Sequence, residues 1–238
     1  MPAPMLALVP EKRSRNLGII TRRIDDGNES PVMMTFDLHI HTSRFSPDSV
    51  MDPFEMLERA RELRLDGLVI TEHDAVWPEE HLRELREVAP DLVILSGVEV
   101  SGRQGHMLVY GVSDLTGLGP GVDWGELVYE VHRRGGAAVA AHPNRFGQYF
   151  DEELEESGAE LDGVEVMSNN MDDGLRERAK PIVAAHPHFA TLGNSDAHRV
   201  EDLAVCVTDF DAEVRSDADL VAAIRARKAT PRVHAQRR

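Results

Sequence analysis

From Phe36 onward, short apolar runs alternate with amphipathic stretches of helical period. The runs at 36–40, 67–71, 92–100, 107–112, 137–141, 163–167, 190–193 and 204–208 have strand length, and segments near 78–88, 124–134, 174–185 and 217–227 read as helices between them. The first helix is the best marked. Asp52 stands at the N-cap, Pro53 at the first helical position and Glu55 three residues after the cap, while Leu57, Ala60 and Leu63 give the inward stripe. Ser216 is the expected cap of the last helix. Residues 1–34 show no sustained period and are read as a flexible arm, with one short strand at 17–21. No internal repeat and no dividing linker interrupts 36–230, so one domain over 35–230 is expected, followed by a basic tail at 231–238.

Strand–helix alternation is the signature of βα units around a parallel sheet. Seven or eight such units in about 200 residues predict a compact α/β barrel, and barrels gather their reacting groups at the carboxyl ends of the strands. Composition narrows the class further. The 26 Lys+Arg against 42 Asp+Glu give a formal charge of −16, and with five basic residues in 12–23 and six in 225–238 the middle of the chain, 24–224, holds 15 basic against 41 acidic residues. So acidic a middle lacks the electrostatic footprint of a duplex nucleic-acid binder. Among the apolar runs none reaches the length of a membrane span, residues 5–9 are too short for a secretory core, and a single cysteine, Cys206, fits a reducing compartment. The expectation is a cytoplasmic protein.

Polar residues of unusual type stand where the apolar runs stop. The first run ends in Asp37-Leu38-His39-Ile40-His41, and in an extended strand His39 and His41 share a face. The second ends in Thr71-Glu72-His73-Asp74, and the third carries Glu99 inside Gly97-Val98-Glu99-Val100. A carboxylate in an apolar run requires a cation or hydrogen-bond donors. Later runs end in Ala141-His142-Pro143, Met167-Ser168-Asn169-Asn170 and Asn194-Ser195-Asp196-Ala197-His198. Imidazoles and carboxylates without thiolates suit Zn²⁺, Mn²⁺ or Fe²⁺. The surplus of ligands over one tetrahedral ion points to two or three ions, with Glu99 the natural bridge. Clustered ions imply hydrolysis by an acidified water.

The series Asp37-Leu38-His39-x-His41-Thr42, Thr71-Glu72-His73, Gly97-Val98-Glu99, Ala141-His142-Pro143 and Asn194-Ser195-Asp196-Ala197-His198 resembles the PHP (polymerase and histidinol phosphatase) family in order and spacing. The resemblance implies a distorted (β/α)7 barrel with a binuclear or trinuclear site, and phosphoester hydrolysis through a metal-bound hydroxide. It places His39, His41, Glu99 and Asp196 on one ion, Glu99 and His142 on a second, and His73 and His198 on a third. Asp48, in the loop after the first strand, is the candidate for completing the third. Two features depart from the commonest pattern. Glu72 stands where T-D-H is usual, which suits a carboxylate that orients a histidine rather than binding an ion. Asp48 stands at an irregular spacing from His41. His106 and Asn169 are further possible site residues.

The resulting expectation is a phosphoesterase acting on a small phosphorylated metabolite or nucleotide. Arg145, three residues beyond His142, is the first candidate for holding phosphate, and Arg199, beside His198, the second. The alternatives are a phosphodiesterase or 5′→3′ exonuclease on short oligonucleotides, a C–N hydrolase on the same metals, and a non-catalytic metal-binding module. His186 and His188 read as a helix-to-strand turn, His81 and His132 as surface residues, His234 as part of the tail, and Cys206 as a small buried hydrophobe.

Overall fold

The structure is a computed structural model and describes residues 33–145, 147 and 149–234. The expected strand at 17–21, most of the expected arm and the last four residues of the expected tail lie outside them. Ten strands and six helices follow in the order β1 (Met33–Ile40), α1 (Pro53–Glu62), β2 (Gly67–Ile70), α2 (Glu79–Val88), β3 (Val93–Ser96), β4 (Val98–Gly102), β5 (Gly105–Tyr110), α3 (Trp124–Arg133), β6 (Ala137–Ala140), α4 (Phe150–Ser157), β7 (Gly163–Met167), α5 (Asp173–Ala185), β8 (Ala190–Gly193), β9 (Cys206–Asp211), α6 (Asp217–Arg225) and β10 (Ala229–Val233). The caps read from sequence are made. Asp52 accepts the N–H groups of Phe54 and Glu55 at 2.8 and 3.2 Å, and Ser216 accepts that of Asp219 at 3.2 Å.

The α/β fold expected is present, and its strands form two mixed sheets, β10-β9-β1-β2-β3 and β4-β5-β6-β7-β8, with no closed barrel among the described residues. Only β1–β2–β3 and β6–β7–β8 run parallel; β9, β10 and the β4–β5–β6 meander pair antiparallel. The predicted strand at 92–100 is cut at Gly97. Its first part pairs with β2 and its second with β5. A Cβ at Gly97 would lie 2.7 Å from the Val109 carbonyl oxygen, so the crossing from one sheet to the other requires glycine. The sheets also meet between β8 and β9, where Thr208 Oγ1 donates to the Gly193 carbonyl at 2.9 Å.

Apolar packing follows this division. One cluster joins α1 and α2 to the first sheet through Leu57, Leu82 and Ile70. Another joins α3 and α4 to the second through Leu127, Leu154 and Val100. A third holds both sheets and α6 together through Leu38, Val69, Leu108, Val139, Leu192 and Leu220. Fully burying each such side chain contributes about 1.5–3 kcal/mol.

Both ends of the expected domain move outward. Met33 and Met34, assigned to the arm, already pair with β9, and residues 231–233, assigned to the tail, are strand. Arg232 forms a two-pronged ion pair with Asp209, at 2.5 and 3.0 Å, and a ring nitrogen of His234 lies 3.0 Å from the Leu63 carbonyl. Helix α4 and strand β10 were not foreseen. His81 packs in an aromatic group with Phe45 and Trp77, and His132 bonds Asp162 at 2.7 Å, so neither is a free surface residue. His186 and His188 lie in the turn between α5 and β8, as read from sequence. Cys206 is 2% exposed, and burial pushes its thiol pKa up to about 11.

Candidate metal centre

Alternation along β1 sends Phe36, Leu38 and Ile40 into apolar clusters and leaves Asp37, His39 and His41 on the opposite face. His39 and His41 are fully buried, with ring centres 5.0 Å apart. An isolated bridge pairs His73, just past β2, with Glu99 of β4, and His106 of β5 lies two residues along the ladder from Glu99's own partner Leu108. His142 and Asp196 stand just past β6 and β8 with φ of 26° and 52°. Non-glycine residues rarely adopt this left-handed region, and at functional sites it stores strain that the surroundings must hold.

These elements bring the ligands into three groups about Glu99 and Asp196. In the first, His39 Nε2 and His41 Nε2 each lie 3.3–3.4 Å from Glu99 Oε2 and from Asp196 Oδ1. In the second, Glu99 Oε1 lies 2.8 Å from His106 Nδ1 and 3.0 Å from His142 Nε2. In the third, Asp48 Oδ2 lies 3.2 Å from His73 Nε2 and 3.3 Å from His198 Nε2. His73 Nδ1 approaches Glu99 Oε2 at 3.0 Å and ties the third group to the first. Asp48, His73, Glu99, His106, Asp196 and His198, with Ser101 and Arg145, line an open cavity of about 280 Å³.

His39 Nε2, His41 Nε2 and Glu99 Oε2 are buried and have no hydrogen-bond partner. Such orphans are costly in a folded interior unless something else takes their lone pairs. Three imidazole and carboxylate atoms facing one point fit a divalent transition-metal ion. Electrostatics agree with the need for positive charge there. Burial by itself lowers the pKa of His39, but the carboxylates of Asp196, Glu99 and Glu165 outweigh it and hold the value well above the usual range. Burial would raise Glu99 and Asp196, yet His39 and the neighbouring imidazoles keep both carboxyls well below theirs.

Further residues hold the ligands in place. Glu72 binds no ligand directly. It accepts from Thr42 Oγ1, Ser46 Oγ and Trp77 Nε1 at 2.5, 2.5 and 2.8 Å, and Ser46 Oγ lies 3.2 Å from His41 Nδ1. Asp37 accepts the N–H groups of Ser195 and Ala204, each at 2.9 Å, while burial pushes its pKa up to about 6. Glu165 of β7, fully buried, meets His39, Asn194 and the His142 N–H. It sits inside Gly163-Val164-Glu165-Val166, the same pattern that marked Glu99, and was overlooked.

Of the two arginines expected at phosphate, Arg145 lines the cavity and pairs with Asp196 Oδ2 at 3.2 Å. Arg199 is exposed at the N-cap of a 3₁₀ turn (Val200–Asp202) and is not among the cavity-lining residues. The asparagine at the centre is Asn170, whose Nδ2 donates to Asp196 Oδ2 at 2.5 Å; Asn169 is exposed and donates its backbone N–H to Ser195. Both stand in the turn after β7, and the course of that turn decides which asparagine reaches the carboxylate.

The PHP-associated family matches residues 177–229. Superposition aligns 85% of the chain with a two-domain protein of Bacteroides vulgatus described as containing a predicted PHP-like metal-dependent phosphoesterase, at a TM-score of 0.67 and 21% identity. The chain shares its fold with this PHP-like protein. It spans 65% of the Bacteroides protein's length. The fold is shared with the lesion-specific endonuclease EndoQ of Pyrococcus furiosus, at a TM-score of 0.63 and 17% identity over 82% of this chain and 56% of that one. An uncharacterised protein of Methanocaldococcus jannaschii is 27% identical over 158 residues, 60% of this chain and 86% of its own. Among the described residues no helix of the chain is long and apolar enough to cross a membrane.

Proposed function

We propose that this chain is a metal-dependent phosphoesterase acting on a small phosphorylated metabolite or nucleotide. The observation that carries the reading is the convergence of orphaned imidazole and carboxylate atoms at Glu99, which itself lines a cavity that Arg145 also lines. On this reading the two sheets are halves of a distorted (β/α)7-type barrel, opened at the β3/β4 and β8/β9 seams, and the ligand-bearing strand ends form its mouth.

His39, His41, Glu99 and Asp196 would hold one ion, Glu99, His106 and His142 a second, and Asp48, His73 and His198 a third. Bound Zn²⁺, Mn²⁺ or Fe²⁺ supplies Lewis acidity toward water and charge neutralisation toward phosphate. The chain's own groups do the rest. Glu99 presents one oxygen to each of two ligand groups and fixes their separation. Arg145 offers a planar pair of N–H donors that matches phosphate oxygens, and Asp196 Oδ2 with Asn170 holds that guanidinium over the cavity. His142 and Asp196, held at positive φ, point inward from loops that would otherwise relax.

A cavity near 280 Å³ lies just below the usual range for small-ligand sites, which favours a small substrate over a polymer. The fold shared with EndoQ favours phosphodiester cleavage of short single strands as the second reading. The deciding experiment loads purified protein with Mn²⁺ or Zn²⁺ and assays phosphomonoesters, phosphodiesters and short oligonucleotides in parallel. Monoester turnover that chelation abolishes supports the proposal. Turnover confined to oligonucleotides replaces it with the second reading, and a fully loaded protein that cleaves none of these refutes both.

A further inference from the structure

Glu165 accepts from three donors with two oxygens. Its Oε2 takes the His142 backbone N–H at 2.9 Å, and its Oε1 takes Asn194 Nδ2 at 2.9 Å and faces His39 Nδ1 at 3.2 Å. The Asn194 amide has its orientation set independently, because its Oδ1 accepts from the Leu38 N–H at 3.3 Å. A carboxylate offers only acceptors, so the His39 nitrogen facing it carries the proton. The lone pair of a neutral His39 is then at Nε2, the buried orphan atom between Glu99 Oε2 and Asp196 Oδ1. The other oxygen of the same carboxylate pins the backbone of His142 at φ 26°, which places His142 Nε2 3.0 Å from Glu99 Oε1.

We infer that Glu165 is a positioning residue for two ions at once, setting the tautomer of His39 on one and the backbone of His142 on the other. The inference rests on the metal reading above and extends it. It explains why a fully buried carboxylate is kept inside an apolar strand. Glutamine has nearly the same shape but cannot substitute, because in either amide orientation its NH₂ meets a donor: the His142 N–H on one side, Asn194 Nδ2 and His39 Nδ1–H on the other. Charged carboxylate–histidine pairs of this kind orient the ring and raise its basicity, and losing one lowers metal affinity about 10–100-fold.

The test titrates metal-free wild type and Glu165→Gln with Co²⁺, following the visible absorption of bound cobalt, alongside thermal unfolding of the metal-free proteins. For Glu165→Gln, the two sites sharing Glu99 should need about 10–100-fold more cobalt, while the Asp48–His73–His198 site fills as in wild type. A Glu165→Gln protein that titrates like wild type overturns the assignment and leaves the metal reading intact. A wild type that binds no cobalt overturns the metal reading itself. Should the variant fail to fold, NMR of the histidines in Zn²⁺-loaded wild type decides. A His39 proton on Nδ1 with zinc at Nε2 supports the inference, and zinc at Nδ1 overturns it.

Discussion

Replacing Arg145 by alanine separates substrate binding from metal binding more cleanly than any ligand substitution. A guanidinium has donors only and cannot ligate an ion, so its loss removes nothing from the three ligand groups. It does release Asp196 Oδ2, but that oxygen keeps the 2.5 Å bond from Asn170, while Oδ1 stays directed at His39 and His41. Metal content should therefore be unchanged. What is lost is a charge-assisted contact to phosphate within a cavity shielded on one side, where such contacts are worth about 2–4 kcal/mol. At 1.36 kcal/mol per decade this is a fall of about 30- to 1,000-fold in kcat/KM. Arg145→Lys should recover only part of it, since an ammonium keeps the charge without the fork. The assay is steady-state hydrolysis of the best phosphomonoester, with metal content measured by elemental analysis on the same preparations. Wild-type kcat/KM for Arg145→Ala would show that the residue only neutralises Asp196. Loss of ions would show that its ion pair with Asp196 is part of the metal site.

Glu99→Gln should lose at least one ion per chain and nearly all turnover, because an amide cannot give an anionic oxygen to each of two groups; retained ions with near-normal rates would make Glu99 a structural carboxylate only. Asp209 is partly buried, which opposes ionisation, but Arg232 and Thr35 more than compensate and its pKa is lowered. The stabilisation this gives is complete above the unfolded carboxyl's pKa and disappears as pH falls through the lower folded value. Asp209→Asn should thus destabilise by about 0.5–1 kcal/mol in urea at pH 7, after allowance for solvent screening, with the difference shrinking as pH falls below the usual carboxyl range; a pH-independent difference would count against the ion pair. Cys206, buried and with a raised thiol pKa, should react with a thiol reagent at pH 8 only after unfolding, and rapid labelling of native protein would contradict its burial.

What local chemistry dictates was legible along the chain. The two-residue alternation Asp37-His39-His41 places three polar groups on one face wherever that strand lies, and the caps Asp52 and Ser216 satisfy N–H groups within three residues of themselves. A carboxylate in an apolar run announces a buried charge, at Glu99 and equally at Glu165. Which partner meets which was decided only by tertiary structure, because those contacts join residues far apart in sequence and depend on register. His106 enters the centre because antiparallel pairing sets Ser101 opposite it and Leu108 opposite Glu99. Asn170 rather than Asn169 reaches Asp196, 26 residues away. The split of the 92–100 run at Gly97 follows from the Val109 backbone pressing against it from another strand. Hydrophobic periodicity carries no information about such a neighbour. It tells a strand which way to face, and only the packed sheets determine what it faces.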